Sequence, residues 1–312
     1  MKTKLTGIRG TLLYAEPMSK HTTWRIGGPA ACFFIPADRS DLITYLKQLS
    51  TAEPIFWLGL GSNLLVRDGG IPGSVILTTQ LNQINIVNTT DWFIEAGVSC
   101  AQIARQSSRA QLGGGTFFAG IPGTLGGALA MNAGAFGGET WPLVLSVETI
   151  DRQGVVRCRK PADYQIAYRS VQGFEGEYFL GATLRFQAQN AETARQGAQH
   201  IKKLLQQRKN TQPTGLPSCG SVFRNPKPLF AAKLIEQAGL KGLRQGGAEI
   251  SEKHANFIIN TGGACAADME FLIKKIQQTI AEKYQINLTP EVRCVGISSP
   301  CTSLASPPVV DK

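Results

Sequence analysis

The chain has 312 residues, 43% of them hydrophobic, and a formal net charge of +10. That length covers one to three domains and suffices for a sizeable core. The basic balance favours anionic partners, but no dense Lys/Arg run is interleaved with aromatics, which argues against nucleic acid and leaves phosphorylated small molecules in view.

Residues 1–21 read as a lead-in, with a short helix within 1–20. Residues 38–50 (DRSDLITYLKQLS) read as an amphipathic helix with Leu42, Ile43, Leu46 and Leu49 on one face and Ser40 as N-cap. PIFWLGLGSNLLV follows as a short apolar strand running into a glycine turn, and 74–78, 84–87 and 92–96 read as further strands. Residues 99–110 have helical spacing at Ile103 and Ala104, and a glycine-rich stretch follows. Strands return at 144–151, 155–159 and 178–187. Composition changes near Gln187: 191–209 is a polar helix, 229–238 a helix ended by Gly239, 255–260 a strand, 268–284 a helix with Leu272, Ile273, Ile276 and Ile280 inward, and 292–295 a last strand. The tail from 298 to 312 is Ser/Pro-rich and reads as disordered. Strand-rich segments with short helices favour α+β over a regularly alternating α/β sheet.

Seven scattered cysteines without a CxxC pair argue against a disulfide framework or a structural zinc site. The N-terminal segment has no signal-type apolar region, and no apolar run approaches the length of a membrane span. The three histidines, His21, His200 and His254, have no metal-ligand spacing, so no metal is expected. Together these features point to a reducing cytoplasm.

Two glycine loops stand out. In the first, Gly59, Gly61, Ser62, Asn63 and Leu64 follow a strand, and the paired glycines allow a tight turn that presents N–H groups to an anion. It is not a dinucleotide fingerprint, because a third glycine and a following helix are missing. By itself such a loop also fits an ordinary tight turn. In the second, Gly120 and Gly123 bracket Pro122, and Thr124 stands where it can cap a helix over 125–131 whose N-terminus faces a diphosphate. Gly126 and Gly127 lie inside that helix at about 1 kcal/mol each relative to Ala, which suggests that something large packs against them. Asn132 and Gly134 then end it. A glycine hinge between domains is the competing explanation.

TTWRIGGPA, LGLGSNLLV, FFAGIPGTLGGALAMNAGAFG, YRS, GSVFRNP, KLIEQAGLKG, GGAEISEKHANFIIN and PEVR occur in this order over residues 22–296. In this combination the sequence resembles the UDP-N-acetylenolpyruvoylglucosamine reductases (MurB), and its shorter subtype in particular. His21 stands where many relatives have Asn. The resemblance implies an α+β chain: an FAD-binding domain of the PCMH/vanillyl-alcohol-oxidase class over 22–188, with subdomains of about 22–80 and 81–188, and a smaller α+β substrate-binding domain over 189–297. It implies non-covalent FAD, NADPH as co-substrate, UDP-N-acetylglucosamine enolpyruvate as substrate, and a role in peptidoglycan precursor synthesis. A monomer is favoured, without membrane insertion or nucleic acid.

Reducing an enol ether beside a carboxylate requires a hydride at the β carbon, stabilisation of the enolate-like carboxylate, and a proton at the α carbon. The flavin supplies the first, and the protein must supply positive charge and an acid. Ser221 matches the family's proton donor, Arg169 its carboxylate-stabilising arginine, and Glu291 its catalytic glutamate. A guanidinium fork suits a carboxylate and stays charged. Asn225 matches a substrate-contacting position, and Arg208, Lys209 and Gln212 precede the serine loop as candidates for the UDP diphosphate. Lys233, Glu249 and His254 are further candidates for substrate contact. Cys219 is not read as a nucleophile, since no thiol-activating group is legible nearby. The alternatives are another PCMH-type flavin oxidoreductase acting on a small alcohol or nucleotide-sugar, and a catalytically silent flavin or UDP-sugar binder.

Overall fold

The computed structural model describes residues 5–299, and the chain forms two compact units. The first takes residues up to Glu16, Ala30–Ser62 and Gly73–Thr211; the second takes Pro17–Pro29, Asn63–Pro72 and the chain from Gln212 onward. The chain therefore passes between units more often than one boundary near residue 189 implies.

The first unit holds two larger sheets beside several two-stranded pairs. One has the strand order Thr11–Pro17, Pro29–Ile35, Ile71–Leu77, Ile55–Leu58, the last two parallel with Ile55 opposite Ser74. The other is a five-stranded antiparallel sheet ordered Val156–Arg159, Val144–Asp151, Glu177–Arg185, Asp91–Glu95, Ile84–Ile86. Helix α1 (Arg39–Gln48) buries Leu42, Tyr45 and Leu46 against Phe34 and Ile76 of the first sheet and Ile150 and Leu180 of the second, so one apolar cluster joins both. Helices α2 (Cys100–Arg109) and α3 (Leu125–Met131) contribute Ile103, Leu125 and Leu129 to a second cluster with Trp92, Ile94, Ala182 and Leu184. Helix α4 (Ala191–Thr211) closes this unit and has no fully buried residue.

The second unit packs α5 (Ala231–Gln237) and α6 (Ala266–Tyr284) with a three-stranded antiparallel sheet of Arg244–Gln245, Ala248–Ile250 and Ile258–Asn260. Trp24, Leu65, Val222, Phe223, Ile235, Ile250, Ile258, Leu272 and Ile276 share its core. The TTWRIGG segment belongs here. The Trp24 indole donates to the Ile258 carbonyl at 2.7 Å, and Asn260 donates to the Trp24 carbonyl at 3.0 Å. The Leu64–Val66 strand pairs in parallel with Arg293–Val295, Leu64 opposite Arg293.

Helix α6 is capped by a residue far away in sequence. Ala266 N–H donates to Asp68 Oδ1 at 2.9 Å and Ala267 N–H to Asp68 Oδ2 at 3.1 Å. A carboxylate at a helix start satisfies orphan donors and complements the helix dipole. Asp68→Ala is expected to lower stability by about 1–2 kcal/mol, read as a lower urea midpoint at unchanged slope.

Several local expectations are corrected. The N-cap of α1 is Asp38, whose side chain accepts from the Asp41 N–H at 2.9 Å; Ser40 lies inside the helix and donates to Asp38. The lead-in contains the Thr11–Pro17 edge strand, with only a single turn of 3-10 helix at Met18–Lys20. Among the cysteines, Cys32, Cys100, Cys158, Cys219 and Cys294 are free but Cys265 is disulfide-bonded. An odd count excludes complete pairing, not a single bridge. The expectation for the tail falls largely on residues 300–312, outside the described residues.

Candidate functional site

In the first unit the two glycine loops meet face to face. A Cβ on Gly59 would lie 2.5 Å from Thr124 Oγ1, and one on Gly123 would lie 3.6 Å from Ser62 Oγ. Gly61, at φ +59°, turns the first loop. Among the described residues the N–H groups of Gly61, Ser62 and Gly123 have no partner. Adjacent, unspent backbone amides of this kind form an anion-binding nest. The cradle therefore fits an anionic group of the size of a diphosphate, as the expected FAD carries. Gly59→Ala is expected to push Thr124 out of place and strip the protein of flavin, measured as the ratio of flavin to protein absorbance after purification.

The second loop is fixed from behind. Cys100 N–H donates to the Gly123 carbonyl at 2.9 Å, Leu125 N–H to Val98 at 2.9 Å, and Gly126 N–H to Ala96 at 2.8 Å. The first two amides of α3 are thus spent on protein carbonyls, so the anion site expected at that helix N-terminus is not built from them. Thr124 occupies the N-cap position without a side-chain cap bond. Gly126 serves a close approach to Ala96, where a Cβ would lie 3.0 Å from the Ala96 Cβ; Gly127 would meet only Thr124 Oγ1, at 3.9 Å. The packing partner at Gly126 is the protein's own chain. Pro122 is exposed between these points.

Gly120 is buried, and Arg208 of α4 donates through Nη1 to its carbonyl. Burial pulls the Arg208 guanidinium below its usual pKa. Arg208 and the exposed Lys209 close α4 in the first unit, whereas Gln212 opens the second. Arg208 thus serves the glycine loop here, a partner that its place before the serine loop did not suggest.

Arg169 sits in the two-residue loop of the hairpin formed by Gln165–Ala167 and Ser170–Gln172, at φ +54°. Such backbone in a non-glycine residue is costly and gathers at functional sites. Its guanidinium lies over the Tyr168 ring, 4.9 Å from the centroid, and donates to the carbonyls of Asn132 at 3.3 Å and Gly134 at 2.7 Å. Asn132 ends α3 in left-handed conformation; its amide donates to Glu139 and the Ala167 carbonyl and accepts from Trp141 N–H. Asn132 and Gly134 therefore orient the Arg169 side chain.

In the second unit Ser221 and Glu291 are brought together. Glu291 N–H donates to the Val222 carbonyl at 2.7 Å, Arg224 N–H donates to Thr289 at 2.9 Å, and Phe223 pairs with Pro290. Asn63 holds the same segment: its side chain donates to the Glu291 carbonyl at 3.0 Å, and Arg293 N–H donates to the Asn63 carbonyl at 3.1 Å. Ser221 and Glu291 are both half-buried. Asn225 Oδ1 accepts from Ala231 N–H at 3.1 Å at the start of α5. Lys233 is exposed on α5; Glu249 is buried and pairs with Arg244 at 2.6 Å; His254 packs edge-on to Phe257 at 4.8 Å. Cys219 is buried, and burial pushes its thiol well above the usual range, so it stays protonated and unreactive.

The sequence reading missed Asn256. It is 3% exposed, and its side chain grips Phe223. An Asn inside the apolar run of HANFII was the available signal.

Comparison with known proteins accords with this geometry. Residues 212–295 match the family described as UDP-N-acetylenolpyruvoylglucosamine reductase, C-terminal domain, and residues 30–159 match an FAD binding domain. The chain is 53% identical over 287 residues to a UDP-N-acetylenolpyruvoylglucosamine reductase of Alkalilimnicola ehrlichii, covering 92% of this chain and 95% of that one. It is 53% identical to the protein of that name from Methylococcus capsulatus, covering 92% and 94%. The crystal structure of UDP-N-acetylenolpyruvylglucosamine reductase (MurB) from Thermus caldophilus superposes with a TM-score of 0.77 at 30% identity, over 92% of this chain and 99% of that one.

Proposed function

The chain belongs to the UDP-N-acetylenolpyruvoylglucosamine reductases, and from that premise we propose how its residues divide the reaction. The activity is reduction of the enolpyruvyl ether of UDP-N-acetylglucosamine to UDP-N-acetylmuramate, a step of peptidoglycan precursor synthesis that depends on FAD. NADPH is the hydride donor and the cytoplasm the compartment in this reading. Among the described residues no helix is long and apolar enough to cross a membrane.

Gly59, Gly61, Ser62, Gly120, Gly123 and Thr124 would hold FAD by its diphosphate, and the bound group would supply the hydride chemistry, with NADPH as the donor, at the β carbon of the vinyl ether. The Arg169 guanidinium takes the substrate carboxylate and stabilises the charge that grows there as the double bond is reduced. The Ser221 hydroxyl gives its proton to the α carbon, which completes the addition of hydride and proton across the double bond. Glu291 supports that transfer from the neighbouring segment. Asn225 contacts the substrate, Lys209 and Gln212 remain candidates for the UDP diphosphate, and Lys233 and His254 remain candidates for further substrate contact.

One observation supports the assignment most directly: the 2.7 Å bond from Glu291 N–H to the Val222 carbonyl runs the backbone that carries the proposed carboxylate alongside the residue that follows the proposed donor. The test is spectral. Yellow protein should bleach with NADPH and, without oxygen, recover its colour on adding the enolpyruvyl nucleotide. Bleaching by a small alcohol, with the enolpyruvyl nucleotide unable to restore the colour, would favour another flavin oxidoreductase. No flavin bands after adding FAD would remove both.

A further inference from the structure

The short segment that carries Ser221 is not part of any sheet, yet every backbone polar group of Val222 and Phe223 is bonded. Val222 N–H donates to the Asn256 carbonyl at 2.9 Å, and the Val222 carbonyl accepts from Glu291 N–H at 2.7 Å. Phe223 N–H donates to Asn256 Oδ1 at 3.0 Å, and the Phe223 carbonyl accepts from Asn256 Nδ2 at 2.9 Å. Both residues are buried, at 0% and 1% exposure, so no solvent can replace a lost partner.

The Asn256 carboxamide therefore acts as a displaced peptide group. Its donor and acceptor lie side by side and match the N–H and C=O of one residue, as a neighbouring strand would. The opposite edge of the same segment is held by the chain from Thr289 to Glu291. Between these two supports the backbone that directly follows Ser221 has little freedom.

We propose that Asn256 is the positioning residue that sets Ser221 against Glu291 for proton delivery. It touches neither hydride donor nor substrate carboxylate in this scheme, and the inference rests on the reading that Ser221 is the proton donor. Asn256 acts on one half of the catalytic cycle. Misplacing a reacting group by about 1 Å costs on the order of 10²-fold, whereas reduction of the flavin by NADPH does not use Ser221 at all.

The experiment uses the full-length holoenzyme with Asn256→Ala, Asn256→Asp, Ser221→Ala and, as a stability control, Leu272→Ala in the same core. Leu272 lies on α6 and has no role in the site. Rapid mixing separates flavin reduction by NADPH from flavin reoxidation by the enolpyruvyl nucleotide, and Tm is measured for each variant. Both Asn256 variants should reoxidise about 10- to 100-fold more slowly, as a loss in kcat more than a rise in KM, with reduction within about twofold of the parent protein. Leu272→Ala, at a comparable fall in Tm, should keep both half-reactions. Asn256→Asp keeps the side-chain volume but removes the donor, so it answers the question if Asn256→Ala does not fold. Reoxidation slowed no more in the Asn256 variants than in Leu272→Ala would overturn the inference. Normal turnover in Ser221→Ala would instead overturn the proton-donor reading on which it stands.

Discussion

Ser221→Ala is expected to leave flavin reduction by NADPH nearly unchanged while turnover of the enolpyruvyl nucleotide falls about 10²- to 10⁴-fold, the usual worth of a positioned general acid. The change removes one oxygen from a half-buried side chain and leaves the hydrogen bonds of Val222 and Phe223 intact, because those residues are held through their backbones. The fold should therefore survive, and the loss should appear only where a proton must be delivered. Stopped-flow absorbance reads the two half-reactions separately. Steady-state turnover equal to that of the parent protein would remove Ser221 from the mechanism.

The second large effect is expected for Arg169→Lys. The guanidinium has five N–H donors in one plane, and its bonds to the Asn132 and Gly134 carbonyls fix that plane. An ammonium group can neutralise charge but cannot keep both carbonyls and present a fork to a carboxylate. Substrate-driven reoxidation should slow about 10²-fold, the scale for losing one oriented donor at a developing negative charge. FAD should remain bound, since the cradle of Gly59, Ser62, Gly123 and Thr124 is untouched. Unchanged reoxidation rates would count against the carboxylate role. Loss of flavin would instead assign Arg169 to holding the second glycine loop.

Much of the local structure was legible because its causes are local. The predicted strand over 144–151 and helix over 125–131 are found as Val144–Asp151 and Leu125–Met131, and the 268–284 helix is found as Ala266–Tyr284 with Leu272, Ile273, Ile276 and Ile280 buried. Side-chain periodicity is a short-range signal and needs no knowledge of the partner. The strand expected over 255–260 shortens to Ile258–Asn260, and the reason is tertiary: the carbonyl and carboxamide of Asn256 are already bonded to Val222 and Phe223. The N-cap of α1 went to Asp38 over Ser40 because a carboxylate can accept at once from Asp41 N–H, Ser40 and Arg9. Arg9 lies 29 residues away from Asp38 in sequence, beyond the reach of a local pattern.

By itself the sequence determined the flavin-reductase family and the two glycine loops, and it singled out Arg169, Ser221 and Glu291 as candidates, since motif order and residue chemistry are properties of the chain. Only the tertiary structure decided what holds those residues. It gave the cap of α6 to Asp68, the carbonyl of Gly120 to Arg208, the orientation of Arg169 to Asn132, and the Ser221 segment to Asn256. Each of these bonds joins groups far apart along the chain. Which buried donor finds which acceptor is set by the packing of the whole core, which no stretch of sequence carries alone.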